Sequence, residues 1–383
     1  MLGCVAFSSA RTGPVLPPTL LNRGQGGATD SVPWTTAQKD GLHWIQRRTH
    51  RRTCVLCSRP ETKAHPVPDA PLSADPRDAV GSVDEATRRG VGARVRAYVA
   101  LTKPRVIELL LITTVPTMIL AQGGFPSWWL IIATLVGGSA AAGSANTLNM
   151  VYDRDIDAVM NRTKNRPLVT GEITPRAGLV FGLMLGAFSV VWLWLTVNWV
   201  AAALALAANL MYTIGYTMLL KRHTSQNIVW GGAAGCMPVL IGWAAVTGRL
   251  DWAPLLLFGI IFFWTPPHYW PLSMKFRKDY AEAGVPMLPV VVADARVAQQ
   301  MIGYCAAMVV CSLALIPVAD MGWFYSVAAV ASGAWFGGSC VALYRRAITG
   351  TTRKLGAMKV FHASITYLTL VFVAISIDPF LPF

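Results

Sequence analysis

Charge is what this chain has least of. Charged residues occupy 14% of its 383 positions and hydrophobic ones 54%, whereas a soluble domain carries about 25% charge. An ordinary globular enzyme is thereby excluded. The seven cysteines supply no disulfide framework. Cys236, Cys305, Cys311 and Cys340 lie in apolar runs, where a thiol is a small packing residue. Cys54 and Cys57 form a single Cys-x-x-Cys near His50 and His65, and without a second pair or a thioredoxin-like setting it makes a poor metal or redox site. No Cys-x-x-Cys-His for covalent haem attachment occurs. Basic residues are not interleaved with stacking aromatics, so the net charge of +14 is no nucleic-acid footprint. The first 95 residues also lack the apolar central region of a secretory signal.

What the chain does have is apolar residues in blocks of about 20, the length that crosses a bilayer as a helix, and a mean hydropathy of +0.46. The blocks predict spans at 106–124, 128–150, 177–197, 199–219, 227–247, 252–271, 298–318, 323–344 and 360–378. The expected fold is thus an all-α polytopic membrane protein of about nine transmembrane helices over residues 96–383. Residues 1–95, rich in Pro, Gly, Ser, Thr and Arg without a hydrophobic period, predict a disordered extension. Its Arg-rich, acid-poor start resembles a mitochondrial transit peptide only loosely; an upstream-extended start or a cytoplasmic tail accounts for it as well.

The connections alternate in charge. Those after the second, fourth, sixth and eighth spans hold Arg154, Arg162, Lys164, Arg166, Arg176, Lys221, Arg222, Lys275, Arg277, Lys278, Arg296, Arg345, Arg346, Arg353, Lys354 and Lys359, while the others offer only Arg249. Positive charge collects on the inner side, which predicts that these loops and the N-terminus face the cytoplasm or matrix. A plasma membrane is the expected location, a mitochondrial inner membrane the alternative. Small residues crowd the second span (Gly137 to Ser144) and the fifth (Gly231, Gly232, Gly235), which predicts close helix packing near the bundle centre.

One stretch organises the chemistry. Asn149-Met-Val-Tyr-Asp153-Arg-Asp155-Ile-Asp157 closes the second span. On a helix Asn149, Asp153 and Asp157 share a face and Asp155 points elsewhere. Carboxylates beside hydrocarbon persist only when paired or bound to a cation, and a row of hard oxygens suits Mg2+ shared with substrate phosphates. A solvated helix end just outside the bilayer would show the same pattern. The next loop carries Arg162, Lys164 and Arg166, which suit a diphosphate clamp or serve only to fix topology, the better reading for Lys164. After the sixth span come His268, Lys275 and Asp279. Lys275 and Asp279 are four apart and either form a surface pair or hold a second ion. His268 is either a hydrogen-bonded interface histidine or a haem contact. Tyr212, Tyr216, Lys221 and Arg222 gather in the third basic connection, and Glu108 in the first span is expected to pair with Lys103 or Arg105.

The Asn149-x3-Asp153-x3-Asp157 signature resembles that of the UbiA-type intramembrane prenyltransferases. Thr102-Lys-Pro-Arg105, Asn161-Arg-Thr163 with Arg166-Pro-Leu168, Leu220-Lys-Arg222, Thr265-Pro-Pro-His268-Tyr-Trp and Asp279-Tyr280-x3-Gly284-x-Pro-Met-Leu-Pro narrow the resemblance to the branch that farnesylates protohaem IX. It covers the chain from about Tyr98 to the last span. The resemblance implies a helical bundle with a central cavity and a cytoplasmic cap. It also implies transfer of farnesyl from farnesyl diphosphate to a vinyl group of haem B, with Mg2+ on Asn149, Asp153, Asp157 and Asp279. Lys103, Arg105, Arg162, Arg166, Lys221 and Lys275 then bind diphosphate, and His268 contacts haem. The wider family writes its second signature Asp-x3-Asp; here Lys275 holds the earlier place, which leaves a second Mg2+ open and offers a lysine to the diphosphate instead. Haem, farnesyl diphosphate and the bilayer are the implied partners, with the haem A synthase as a candidate protein partner. An aromatic or quinone-precursor prenyltransferase should show the missing second acid pair. A secondary transporter should spread its acids toward the midplane.

Overall fold

Each apolar block becomes a helix, and several start at a capping side chain or a proline. The computed structural model describes residues 90–350 and 355–382, apart from the side chains of residues 105–111. The expected extension up to residue 89, its Cys54 and Cys57, and the side chains of Arg105 and Glu108 lie outside the described residues. The described chain opens with α1 (Val91–Thr102), α2 (Pro104–Gln122), α3 (Trp128–Tyr152), α4 (Arg154–Val159) and α5 (Pro175–Thr196). It continues with α6 (Trp199–Leu210), extended without a break by the π-helical Met211–Leu220, then α7 (Asn227–Thr247), α8 (Trp252–Lys275) and α9 (Arg277–Glu282). The last helices are α10 (Leu288–Val291), α11 (Asp294–Val318), α12 (Trp323–Ile348) and α13 (Ala357–Ile377). Among the described residues there are nine long helices, one on each expected span, with ends shifted by four residues or fewer.

Seven of the nine are long and apolar enough to cross a membrane by length and composition. In α2 the described apolar part is Ile112–Gln122. α8 carries Pro266, Pro267 and Pro271 together with His268, Ser273 and Lys275 toward its end, which dilutes its apolar character. Caps are local. Ser127 Oγ accepts from Leu130 N (3.3 Å), Thr174 Oγ1 from Ala177 N (3.3 Å) ahead of Pro175, and Asn198 Oδ1 from Ala201 N (2.9 Å). The Asn198 amide also donates to Ala244 O of α7 (2.8 Å), so one cap ties two helices together.

Small residues let these helices approach closely. α3 lies against α5, where a Cβ on Gly137 would fall 2.4 Å from Leu193 Cγ and one on Gly182 2.9 Å from Leu148 Cδ2. The same proximity allows Ser144 Oγ to donate to Gly182 O and Ser189 Oγ to Gly137 O, both at 2.7 Å. In hydrocarbon such hydroxyl-to-carbonyl bonds replace a hydrophobic drive that lipid cannot supply. α7 is central, packing on α2, α6 and α8, and α13 joins α2 to α8 and α12.

The two ends of the bundle differ. At the end opposite the basic loops, Trp128, Trp129, Trp194, Trp199, Trp252 and Trp323 are all exposed, a belt of the kind found where helices meet the headgroup layer. That end is closed by the 3₁₀ turn Asp378–Phe380. The buried Asp378 carboxylate accepts from Gly322 N (2.5 Å) and Tyr325 N (2.9 Å), capping α12 from a residue more than fifty positions away. Removing such an acceptor leaves two buried donors unpaired at a helix N-terminus. Asp378→Ala is therefore expected to lower stability by about 2 kcal/mol and Asp378→Asn by less, measured as unfolding midpoints of the detergent-solubilised protein; an unchanged midpoint for the alanine variant would contradict the capping role.

Candidate functional site

The acid row sits where α3 ends. The expectation of one continuous helix is modified here: α3 stops at Tyr152, Asp153 adopts φ −87 and ψ 12, and α4 resumes at Arg154. The break is one residue deep, because Asp157 N still donates to Asp153 O at 2.9 Å. Asn149, Asp153 and Asp157 are all buried. Asp155 points outward as expected, and Arg222 grips it with two hydrogen bonds of 2.8 Å. The guanidinium bond holds the Asp155 carboxyl down at about 2. Asp155 is largely exposed, so the pair adds little stability.

Three of the buried oxygens, Asn149 Oδ1, Asp153 Oδ2 and Asp157 Oδ2, meet a cation or an amide. Asn149 Nδ2 donates to Asp153 Oδ2 (2.7 Å) and to Thr217 Oγ1 (3.1 Å), while its Oδ1 accepts from Lys103 Nζ (3.1 Å). Lys221 Nζ bonds Asp153 Oδ2. Arg166 Nη1 reaches Asp157 Oδ2 at 2.5 Å. Asp153 Oδ1 is buried with no hydrogen-bond donor, its nearest cationic partner being Arg222 Nη2 at 3.6 Å. Lys103 stands between α1 and α2 in the left-handed region, φ 52, an unusual conformation for a non-glycine residue. Asn146 Nδ2 donates to Thr102 O (3.0 Å) and pins the preceding carbonyl to α3. Burial first, then the positive charges of Arg166 and Lys221, depress the Lys103 ammonium to about 7.

Below this mouth runs a cavity of about 390 Å3. Lys103, Asn149, Asp157, Arg162, Arg166 and Lys221 line its head. Farther in, small residues of α3 (Ala145, Ala142, Ala141, Gly138) and α7 (Gly231, Gly232, Gly235) form the walls, with Leu135, Thr134, Thr113 and Ile241 toward the far end. Tyr212, Tyr216, Trp264, Tyr269 and Tyr280 add aromatic faces. Four cations and the Asp157 carboxylate line the head, so the mouth suits an anion; Asp153, bonded to Lys221, does not itself line the cavity.

Not every expected residue joins this group. Arg162 does so from the cap, where its guanidinium bonds the Tyr280 hydroxyl (3.3 Å) and lies over the Phe276 and Tyr280 rings. Lys164 is exposed and bonds Asn161 Oδ1 (3.3 Å). Asp279 is half-buried on α9 and Lys275 exposed at the end of α8; neither lines the cavity, and Tyr280 lines it in their place. His268 is buried between α8 and α13, its ring stacked between Trp264 (4.1 Å) and Phe361 (4.6 Å) and its Nδ1 bonded to Ser364 Oγ (2.7 Å). It does not line the cavity either. Sequence reasoning missed Thr217 and Asn146, although Thr217 stands four residues before Lys221 and Asn146 three before Asn149.

The donor set can be tested against a divalent cation. Among the described residues no three Asp, Glu, His or Cys side chains form a metal cluster. Asn149, Asp153 and Asp157 offer two carboxylates and one amide, all hard oxygens, and Asp153 Oδ1 accepts no hydrogen bond, with Arg222 Nη2 3.6 Å away. That set fits a Mg2+-like ion completed by phosphate oxygens.

Known proteins share this architecture. The UbiA prenyltransferase family matches residues 110–365. A protein of Clavibacter michiganensis subsp. michiganensis named protoheme IX farnesyltransferase is 62% identical over 294 residues, covering 77% of this chain and 95% of that protein. Among solved structures, a digeranylgeranylglyceryl phosphate synthase superposes with a TM-score of 0.63 at 16% identity, over 75% of this chain and 99% of that one. A UbiA homologue from Archaeoglobus fulgidus bound to DMAPP and Mg2+ does so with 0.53 at 18% identity, over 73% and 99%. The oxygen row above an apolar cavity thus sits in a fold shared with these proteins, and the chain belongs to the UbiA prenyltransferase family.

Proposed function

We propose that the protein transfers the farnesyl group of farnesyl diphosphate to a vinyl group of haem B, releasing diphosphate and giving haem O. The observation that carries this reading is the buried Asn149–Asp153–Asp157 row at the cationic head of an apolar cavity. It is supported by the 62% identical relative named protoheme IX farnesyltransferase.

Asn149, Asp153 and Asp157 would hold Mg2+. Once bound, the ion supplies Lewis-acid stabilisation of the diphosphate charge. The protein's own contribution is electrostatic and spatial. Lys103, Arg162, Arg166 and Lys221 bind and orient the diphosphate, and they meet the negative charge that grows on it as the carbon–oxygen bond breaks. The bonding pair leaves with diphosphate, and the allylic carbon becomes electron-deficient. Tyr212, Tyr216 and Tyr269 present ring faces to the cavity, suited to an allylic cation, and the apolar walls keep water away until the new bond has formed. The vinyl π pair of haem makes the carbon–carbon bond. Water then adds to the resulting cationic carbon and loses a proton, leaving a hydroxyethylfarnesyl side chain. Haem is a substrate throughout. Asp279 and Lys275, outside the cavity wall, are assigned to the cap over the diphosphate, and His268 to the packing of α8 on α13.

The basic-loop end is the cytoplasmic end of a plasma-membrane protein, with the N-terminus inside, because fourteen of the cations in the even-numbered connections stand against one, Arg249, on the other side among the described residues. Passage of the product to a haem A synthase belongs to the same proposal.

The direct test is purified full-length protein with haem B, farnesyl diphosphate and Mg2+, analysed by mass for hydroxyethylfarnesyl haem, beside a reaction offering an aromatic acceptor. Product on haem alone is expected; prenylation of the aromatic acceptor alone would overturn the assignment. Asp153→Ala should lower haem O formation at least about 100-fold while the protein still inserts and keeps its helix content. An unimpaired yield would refute the role of the acid row. Gly138 lines the cavity eleven residues from Asn149, about 16 Å along α3, and a Cβ there would meet no atom within 4 Å. Gly138→Leu should therefore project into the cavity and raise KM for farnesyl diphosphate about tenfold, with geranyl diphosphate less affected.

A further inference from the structure

We infer that Thr217 is a positioning residue that decides which atom of the Asn149 carboxamide faces the metal and diphosphate; this rests on the reading of Asn149 as a metal ligand given above. Thr217 belongs to the π-helical Met211–Leu220. Its hydroxyl donates five residues back, to Tyr212 O at 2.9 Å. In the α-helical parts of neighbouring spans, threonines donate four residues back, as Thr147 does to Gly143 O (2.8 Å) and Thr134 to Leu130 O (2.7 Å). A hydroxyl has one proton. With that proton committed to the widened turn, Thr217 can only accept toward Asn149, and the group it meets at 3.1 Å is Nδ2.

The second Nδ2 proton goes to Asp153 Oδ2 at 2.7 Å. Both amide protons are then used, and Oδ1 must face the opposite way, toward Lys103 Nζ. Asp153 alone is a poor guarantor of this orientation. Its Oδ2 also accepts from Lys221, and a cation on Asp153 would compete for the same oxygen. Thr217 is the uncharged acceptor whose geometry does not depend on what the carboxylates hold. The pairing is a ladder: Thr217 meets Asn149 while Lys221, four residues on, meets Asp153, itself four residues beyond Asn149. π-helical turns recur at functional sites because they re-aim side chains in this way.

The test uses full-length protein in detergent with saturating farnesyl diphosphate, reading free Mn2+ by electron paramagnetic resonance. Thr217→Val, and Thr217→Ala should the valine variant not fold, are expected to weaken Mn2+ binding about tenfold, as removal of partners that orient metal ligands does. Thr217→Ser should stay within about twofold of the parent. In an Asn149→Asp background, where an oxygen faces the ion whichever way the group turns, Thr217→Val should change the Mn2+ Kd by less than about twofold. In turnover, the valine variant should need more Mg2+ for half-maximal rate. Unchanged Mn2+ affinity in Thr217→Val, or an equal loss in both backgrounds, would overturn the inference. A parent protein that binds no Mn2+ would instead sink the metal reading beneath it.

Discussion

A pair of carboxylates taken out of water is the constraint under which the rest of this molecule is arranged. Asp153 and Asp157 are buried, and an uncompensated buried charge costs several kcal/mol. Lys221, Arg166 and the amide of Asn149 supply the compensation. Each arrives from a different piece of chain: the end of the π-helical stretch, the loop after α4, and the last turn of α3. The acids therefore fasten three elements at one point. They remain short of full satisfaction, because one Asp153 oxygen has no donor. A site poised this way holds protein cations and has capacity for a further positive charge.

The bundle makes that arrangement useful by being asymmetric. Polar groups and loops concentrate at one end, and the tryptophan belt and the Asp378 cap hold the other. Between them the small residues of α3 serve two purposes on different faces. Gly137 admits Leu193 of α5 against the backbone, and Gly138 leaves cavity space open. Close packing outward and open volume inward come from one short run of sequence. A transporter would need polar groups distributed through the membrane depth; here the charged side chains stay at the head, and the interior wall is mostly small, aliphatic and aromatic.

The spans were legible because twenty-residue apolar blocks have one solution in a bilayer. The Asn149–Asp157 row was legible because four-residue spacing puts side chains on one face, and the one-residue break at Asp153 did not separate them. Three things were not. The π-helical register of Met211–Leu220 leaves no period in a uniformly apolar run, so Thr217 looked like any helical threonine. The left-handed Lys103 is dictated by its tie to α3 through Thr102 and Asn146, a contact of residues far apart in sequence. His268 carried a haem-like signal from its aromatic neighbours, and those neighbours are what bury it: Trp264 and Phe361 sandwich the ring away from the cavity.

Asn149, Asp153 and Asp157 are proposed to share one divalent cation with the diphosphate. Mn2+ bound to the protein in the presence of inorganic diphosphate labelled with oxygen-17 tests it most directly. Oxygen-17 broadening of the protein-bound Mn2+ resonance is expected, with that bound signal lost in Asp157→Asn. Diphosphate that binds equally well without a divalent cation, or a bound Mn2+ signal that the label leaves unbroadened, would contradict it.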